Sequence, residues 1–406
     1  MYIEEKEILM RITIKRPEYK SGHHIELLHS GESYFGTVEK IIDEAKQFIH
    51  FHVYIIDEDK TGLRIFNALI RASERGVRVY LLLDAFGTKY LSNDLINRIE
   101  KSGILLRFFS PTFITKGFQL SLRLHSKVLM VDGEVAVIGG MNIADRYAGT
   151  NDKRAWLDFA VLIKGPECVH VLSVLRRIWN KKFIPKEERS HEQINSPVSY
   201  PEDIKLRVVQ NNWYRNKIEI LRSYRRAFKN SGDRMIIFAS YFLPGRNERR
   251  LLRSASLRGV EIKIVLAAES DTPMFKRATG FLYDFILENN IRLYEYLPSN
   301  LHAKVAVVDG EWCTIGSYNL NHVSDYASIE MNVNILDKEF CSRFEKILLD
   351  IIQNECRQIT IEEFTRKRTL FSRLSGWISY QIIRLLMRIM YQMTSKKKKT
   401  LKEQVR

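Results

Sequence analysis

One pattern occurs twice in this chain, and that duplication constrains the fold more than any other feature. The first copy reads His125-Ser126-Lys127, then Asp132, then Gly139-Gly140-Met141-Asn142. The second reads His302-Ala303-Lys304, then Asp309, then Gly316-Ser317-Tyr318-Asn319. Counted from each His, the Lys, the Asp, the first Gly and the Asn fall at the same four offsets, and the copies lie 177 residues apart. A separate match supports the repeat: Ala72-Ser73-Glu74-Arg75-Gly76-Val77 is echoed by Ala255-Ser256-Leu257-Arg258-Gly259-Val260. One His-x-Lys alone is an ordinary surface pair on a strand. Two copies in register predict an internally duplicated enzyme in which each half supplies one histidine.

Hydrophobic periodicity fills in the halves. Apolar runs predict strands at Phe48 to Ile56, Val77 to Asp84, Ile104 to Phe109, Lys127 to Val131 and Val135 to Ile138, with a helix over Gly62 to Arg75. The second half repeats that order at Met235 to Ser240, Glu261 to Ala267, Ile291 to Glu295, Lys304 to Val308 and Cys313 to Ile315, with Arg249 to Arg258 as its helix. Alternating strands and helices argue for α/β domains. Pro197 and Pro201 among polar residues mark a linker. The expected division is residues 1–190, a linker at 191–204, a second domain at 205–360, and a basic tail at 361–406.

The repeated residue types suit attack on a phosphodiester. Such a group is anionic, so a nucleophile approaching phosphorus needs neutralising charge. Lys127 and Lys304 supply two cations, and Asn142 and Asn319 carry amides able to donate to non-bridging oxygens. Gly139-Gly140 and Gly316-Ser317 allow the backbone close to the phosphate. Imidazole serves near neutral pH as nucleophile when neutral and as acid when protonated. Asp158 and Glu330 sit in apolar, strand-like surroundings, where a carboxylate can accept the far ring N–H of a catalytic histidine. Asp132 and Asp309 precede glycines and read as turn formers behind each histidine. Tyr54 and Tyr241 end equivalent strands, lining a groove or packing in the core.

Both stretches match the His-x-Lys-x4-Asp signature of the phospholipase D superfamily, with the Gly-Gly-x-Asn and Gly-Ser-x-Asn extensions. The segment from His24 to Thr88, and Tyr241-Phe242-Leu243-Pro244 with Leu251 to Gly259, resemble bacterial cardiolipin synthases. The resemblance implies two such domains packed face to face, with the site in the groove between them. It implies His125, Lys127, Asp132, His302, Lys304 and Asp309 as the catalytic signature, supported by Asn142, Asn319, Asp158, Glu330, Gly140 and Ser317. It further implies metal-independent, cofactor-free phosphatidyl transfer through a phosphohistidine, with phosphatidylglycerol as acceptor. His125 is assigned as nucleophile and His302 as acid/base, an order that the near-symmetry of the motifs leaves open. Two departures bear on substrate choice: Leu157 and the run Asn321-His322-Val323-Ser324 stand where the branch carries arginines. Phospholipid hydrolysis and nucleic-acid cleavage remain alternatives on the same scaffold.

The four cysteines show neither CxxC nor zinc spacing and read as reduced thiols of a cytoplasmic protein. Met1 to Lys20 lacks the apolar run of a signal peptide or anchor. The formal charge of +16 favours an anionic partner. From Ile361 onward twelve Lys/Arg face three Glu, more than half of that excess. Wound as a helix, Leu370 to Met393 puts Arg373, Gln381, Arg384, Arg388 and Gln392 on one face, and Leu374, Ile378, Ile382, Leu385, Leu386, Ile389 and Met393 opposite. With Trp377 among the apolar residues and Lys396, Lys397, Lys398 and Lys399 following, the segment predicts an interfacial helix on anionic phospholipid. The expected setting is peripheral, on the cytoplasmic face of a bacterial membrane, with no nucleic-acid partner.

Overall fold

The computed structural model describes residues 18–110, 122–150, 152–180, 185–192, 198–212, 217–321, 324–325, 328–367, 369, 371, 373–386 and 389. The first half contributes strands β1 (Lys20–His29), β2 (Phe48–Val53), β3 (Arg78–Asp84), β4 (Leu105–Phe109), β5 (Arg123–Leu124), β6 (Lys127–Val131), β7 (Val135–Gly139) and β8 (Phe159–Lys164). The second contributes β9 (Ile204–Asn212), β10 (Lys217–Ile218), β11 (Arg234–Ala239), β12 (Glu261–Ala267), β13 (Arg292–Tyr296), β14 (Lys304–Val308), β15 (Trp312–Gly316), β16 (Ser328–Leu336) and β17 (Cys356–Ile359).

The first sheet runs β1-β8-β7-β6-β2-β3-β4, with β2, β3 and β4 parallel. The second runs β9-β16-β15-β14-β11-β12-β13, with β17 added at its edge. Strand for strand the orders are the same, so the duplication seen in the motifs extends to topology. Central strands such as β2, β6 and β14 are buried along their whole length, which explains their unbroken apolar runs.

The two sheets face each other across a common core. Val128, Phe159 and Val161 from one side meet Val208, Val305 and Val333 from the other, with the helices Glu167–Trp179 and Lys338–Glu355 filling the remaining space. Each outer face carries its own helices and its own apolar cluster. The repeated Arg-Gly-Val phrase closes equivalent helices, Lys60–Glu74 and Arg246–Leu257: Gly76 and Gly259 both adopt φ +89, the left-handed turn that ends a helix at low cost. The first of these helices begins ahead of Gly62 because Asp59 caps it, accepting the Gly62 N–H at 2.9 Å. The four cysteines are unpaired.

Asp132 and Asp309 sit at the hairpin turns, with φ of 52° and 55°. The Asp132 carboxylate accepts the N–H groups of Lys46, Gln47 and Phe48 at 2.8, 2.8 and 2.9 Å. Asp309 does the same for Gly232, Asp233 and Arg234, each at 2.9 Å. Both residues tie a hairpin to the start of the neighbouring antiparallel strand, β2 in one half and β11 in the other.

Candidate active site

Each histidine lies on the short stretch entering the strand that carries its lysine. The N–H groups of His125 and Ser126 both donate to the carbonyl of Ile329, at 3.1 and 2.8 Å. In the other half the His302 N–H donates to the carbonyl of Leu157 at 2.8 Å, and Leu157 donates to the carbonyl of Asn300 at 3.0 Å. Ile329 and Leu157 directly precede Glu330 and Asp158. This stitching sets each acid beside the other half's histidine: Glu330 Oε2 is 2.9 Å from His125 Nδ1, and Asp158 Oδ2 is 2.6 Å from His302 Nδ1. Neither half holds a complete pair of its own. A carboxylate at Nδ1 keeps a proton there and leaves Nε2 for chemistry. Both rings line one cleft of about 400 Å³.

The two pairs differ in a way that separates their chemistry. Glu330 also accepts from the hydroxyls of Ser317 at 2.5 Å and Ser328 at 2.8 Å. Burial pushes its carboxyl up, but His125, Lys127 and the Ser317 hydroxyl outweigh that and hold it below the usual range. Asp158 has the Phe159 N–H at 2.8 Å, and burial pushes its carboxyl up to about 7. In the first half Gly140 occupies the place of Ser317, and a Cβ there would lie 2.5 Å from both Asp158 carboxylate oxygens. Burial lowers both imidazoles; the neighbouring Lys304 and Lys127 hold His302 further down, well below its ordinary value.

Lys127 and Lys304 are buried beside the histidines. Lys127 Nζ donates to the His125 carbonyl at 2.6 Å, and Lys304 Nζ donates to the His302 carbonyl. Burial pushes Lys127 down to about 7 and Lys304 down to about 8. Tyr54 sits with its ring 5.0 Å from His125, and Tyr147 with its ring 5.1 Å from His302. Tyr54 and Tyr241 both line the cleft.

The other expected residues lie at different distances from the cleft. Asp132 and Asp309 belong to the signature but stand at the far end of a five-residue strand, roughly 20 Å from the histidines. They hold backbone and do not reach the cleft. Asn142 lines the cleft; one of its amide N–H groups donates to the Tyr147 hydroxyl at 2.9 Å and its carbonyl accepts from the Ile55 N–H at 3.2 Å, which fixes the side chain in the wall. Asn319 lines the cleft as well, and its side-chain carbonyl has no partner among the described residues. Leu157 lies in the core between the sheets, so its side chain does not shape the cleft. His322 and Val323 lie outside the described residues; Asn321 and Ser324 beside them line the cleft.

Sequence reasoning missed two arginines. Arg123 and Arg146 line the cleft, the first 3.8 Å from Asp84 and the second donating to Asp57. Arg146 also stacks 5.4 Å from the ring centre of Trp156. Proximity to a motif was the available signal, since Arg123 stands two residues before His125.

The sequence profile of the family described as cardiolipin synthase, PLD-like domain, matches residues 38–179 and 224–352. The chain belongs to that family. Within this cardiolipin synthase-like branch of the phospholipase D superfamily, it is 29% identical over 378 residues to "Cardiolipin synthase B" of Escherichia coli strain K12, covering 90% of this chain and 89% of the relative. It is 26% identical over 349 residues to "Cardiolipin synthase" of Oceanobacillus iheyensis, covering 84% and 72%. The crystal structure of phosphatidylserine synthase from Haemophilus influenzae Rd KW20 superposes with a TM-score of 0.65 at 16% identity, over 93% of this chain and 94% of that one. Polyphosphate kinase from Porphyromonas gingivalis gives 0.58 at 16% identity, over 90% and 53%. Those two likenesses show the two-domain fold. The family and its relatives make this cardiolipin synthase-like chain a phospholipase D superfamily phosphatidyltransferase.

Proposed function

We propose that the enzyme condenses two molecules of phosphatidylglycerol into cardiolipin and glycerol through a phosphohistidine on His125. The observation that carries this reading is the crossed arrangement: two histidines on one cleft, each anchored at Nδ1 by a carboxylate of the opposite half. In the first step His125 Nε2 bonds to phosphorus, the bond from phosphorus to the head-group oxygen breaks, and glycerol leaves with a proton from His302. In the second, a glycerol hydroxyl of another phosphatidylglycerol attacks phosphorus and gives its proton to His302. The P–N bond breaks and cardiolipin forms.

The order of roles follows from the differences between the pairs. A histidine bonded to phosphorus carries positive charge while the intermediate lasts, and Glu330, ionised and held by two hydroxyls, suits that burden. An acid/base group works best with an affinity for protons near the operating pH. The Asp158 carboxyl at about 7 gives the His302 pair that property. Lys127 and Lys304 neutralise the phosphodiester, so the step is written without a metal or cofactor.

Lipid substrates place the protein at a membrane surface, and four unpaired cysteines favour the cytoplasmic face. Among the described residues no helix is long and apolar enough to cross a membrane. Expression in bacterial cells lacking cardiolipin, followed by lipid mass spectrometry, tests the reading. Cardiolipin should reappear. Accumulation of phosphatidic acid without cardiolipin would make the protein a phospholipase instead.

A further inference from the structure

The helix at 373–386 has two apolar stripes, and among the described residues only one of them packs against protein. Gly376, Ser379, Tyr380 and Ile383, spaced three and four apart, turn toward the helix Pro273–Phe281 and the residue after it. Tyr380 and Ile383 pack with Ala278, Leu282 and Leu243, and the Tyr380 ring lies 5.2 Å from Phe281. Gly376 permits the close approach, since a Cβ there would come within 3.2 Å of the Arg277 carbonyl. The second stripe, Leu374, Trp377, Ile378, Ile382 and Leu385, is between 42 and 58% exposed at every position. Leu386, placed by periodicity on the apolar face, is half-buried, and Leu385 is the more exposed of the two.

Five large apolar side chains in a row on a helix surface form a patch of the kind that marks an interaction site. Its chemistry identifies the occupant. Arg373 lies exposed beside the stripe, and the sequence continues into Lys396-Lys397-Lys398-Lys399; Arg388 and that lysine run lie outside the described residues. An apolar stripe with Arg373 beside it and a lysine run following in the sequence matches an anionic bilayer surface, where acyl chains take the apolar side chains and head groups the cations.

The stripe is also coupled to the site. The Pro273–Phe281 helix that supports it carries Phe275 in the cleft wall, and Ala278, one turn on, lies under Tyr380 and Ile383. The three-residue step between them is about 4.5 Å along the helix. Thr272, at its N-cap, lines the cleft as well, and Tyr241 in the same wall donates to Asp271 at 2.5 Å.

We propose that the 373–386 helix docks on anionic lipid through Leu374, Trp377, Ile378, Ile382 and Leu385, and through the Pro273–Phe281 helix sets the rim of the cleft at the lipid–water boundary. The proposal rests on the lipid-transfer reading for its substrate, but docking can be measured without turnover. The test uses the full chain and the variant Ile378→Ser/Ile382→Ser/Leu385→Ser, whose changes are exposed and leave the buried stripe intact. Flotation with vesicles of phosphatidylglycerol in phosphatidylcholine reads docking. Transfer on those vesicles, against transfer on monomeric short-chain phosphatidylglycerol, reads coupling. The variant should lose roughly tenfold or more in vesicle binding and in vesicle activity, and stay within about twofold on the monomeric lipid. Unchanged flotation of the variant would overturn the proposal. So would a concentration-dependent dimer of the full chain that the serines dissolve, because the stripe would then belong to a second copy. A full chain that floats but turns over neither lipid would leave docking standing and sink the transfer reading.

Discussion

Burial tunes the empty cleft so that an anion is welcome. Lys127 and Lys304 are pushed down to about 7 and about 8 by loss of water, with Glu330 and Asp158 working against that shift. A phosphodiester brings new negative charge beside both ammonium groups, and opposite charge raises a depressed lysine toward its ordinary value. The sign follows. Below about pH 6 both lysines are protonated with or without ligand, and no proton moves on their account. Between pH 7 and 9 the empty site has lost part of its lysine protons and the occupied site regains them. Calorimetric titration of short-chain phosphatidylglycerol into His302→Ala, in buffers of different ionisation heat, should therefore show net proton uptake that grows from pH 7 to pH 8. Proton release, or no exchange at pH 8, would contradict the charge assignment.

Hairpins and helices show which features a sequence makes legible. Strand order, the two Arg-Gly-Val helix ends and the His/Lys offsets depend on local spacing, so repetition exposed them. The turn at Asp132 was legible locally, but what its carboxylate holds was not: three N–H groups converge on it from Lys46, Gln47 and Phe48, more than eighty residues earlier in the chain. Asp132→Ala should cost about 1–2 kcal/mol of stability, since its acceptor loss is partly made good by water. The kcat of the folded protein should stay within about twofold, with denaturant midpoint and steady-state rate as the paired readouts. A collapse in kcat with an unchanged midpoint would put Asp132 back in the chemistry. What spacing could not show was that Asn142 is braced in the cleft wall by the Tyr147 hydroxyl, which comes from a short helix of its own. Nor could a helical wheel divide the apolar side of the 373–386 helix into a docked and a free stripe, because that depends on where the Pro273–Phe281 helix lies.

For the whole molecule, the site exists only where the halves meet. His125 and Glu330 are separated by 205 residues, and His302 and Asp158 by 144. Nothing local to Trp156-Leu157-Asp158 tells which histidine its carboxylate will serve; the answer lies in the backbone bonds of Leu157 to the other half. The same seam hides Arg146 and Asp271, which line the cleft from a four-residue helix and a loop without a motif. A shared site makes a strict demand, because removing either histidine must stop both steps of the transfer. The direct measurement incubates purified protein with labelled phosphatidylglycerol in vesicles and follows cardiolipin, glycerol and phosphatidic acid together, for wild type, His125→Ala and His302→Ala. Cardiolipin and glycerol should appear in equal amounts with wild type, and transfer should fall by at least about 10²-fold in each variant. Near-normal cardiolipin formation by either variant would contradict the shared, crossed site.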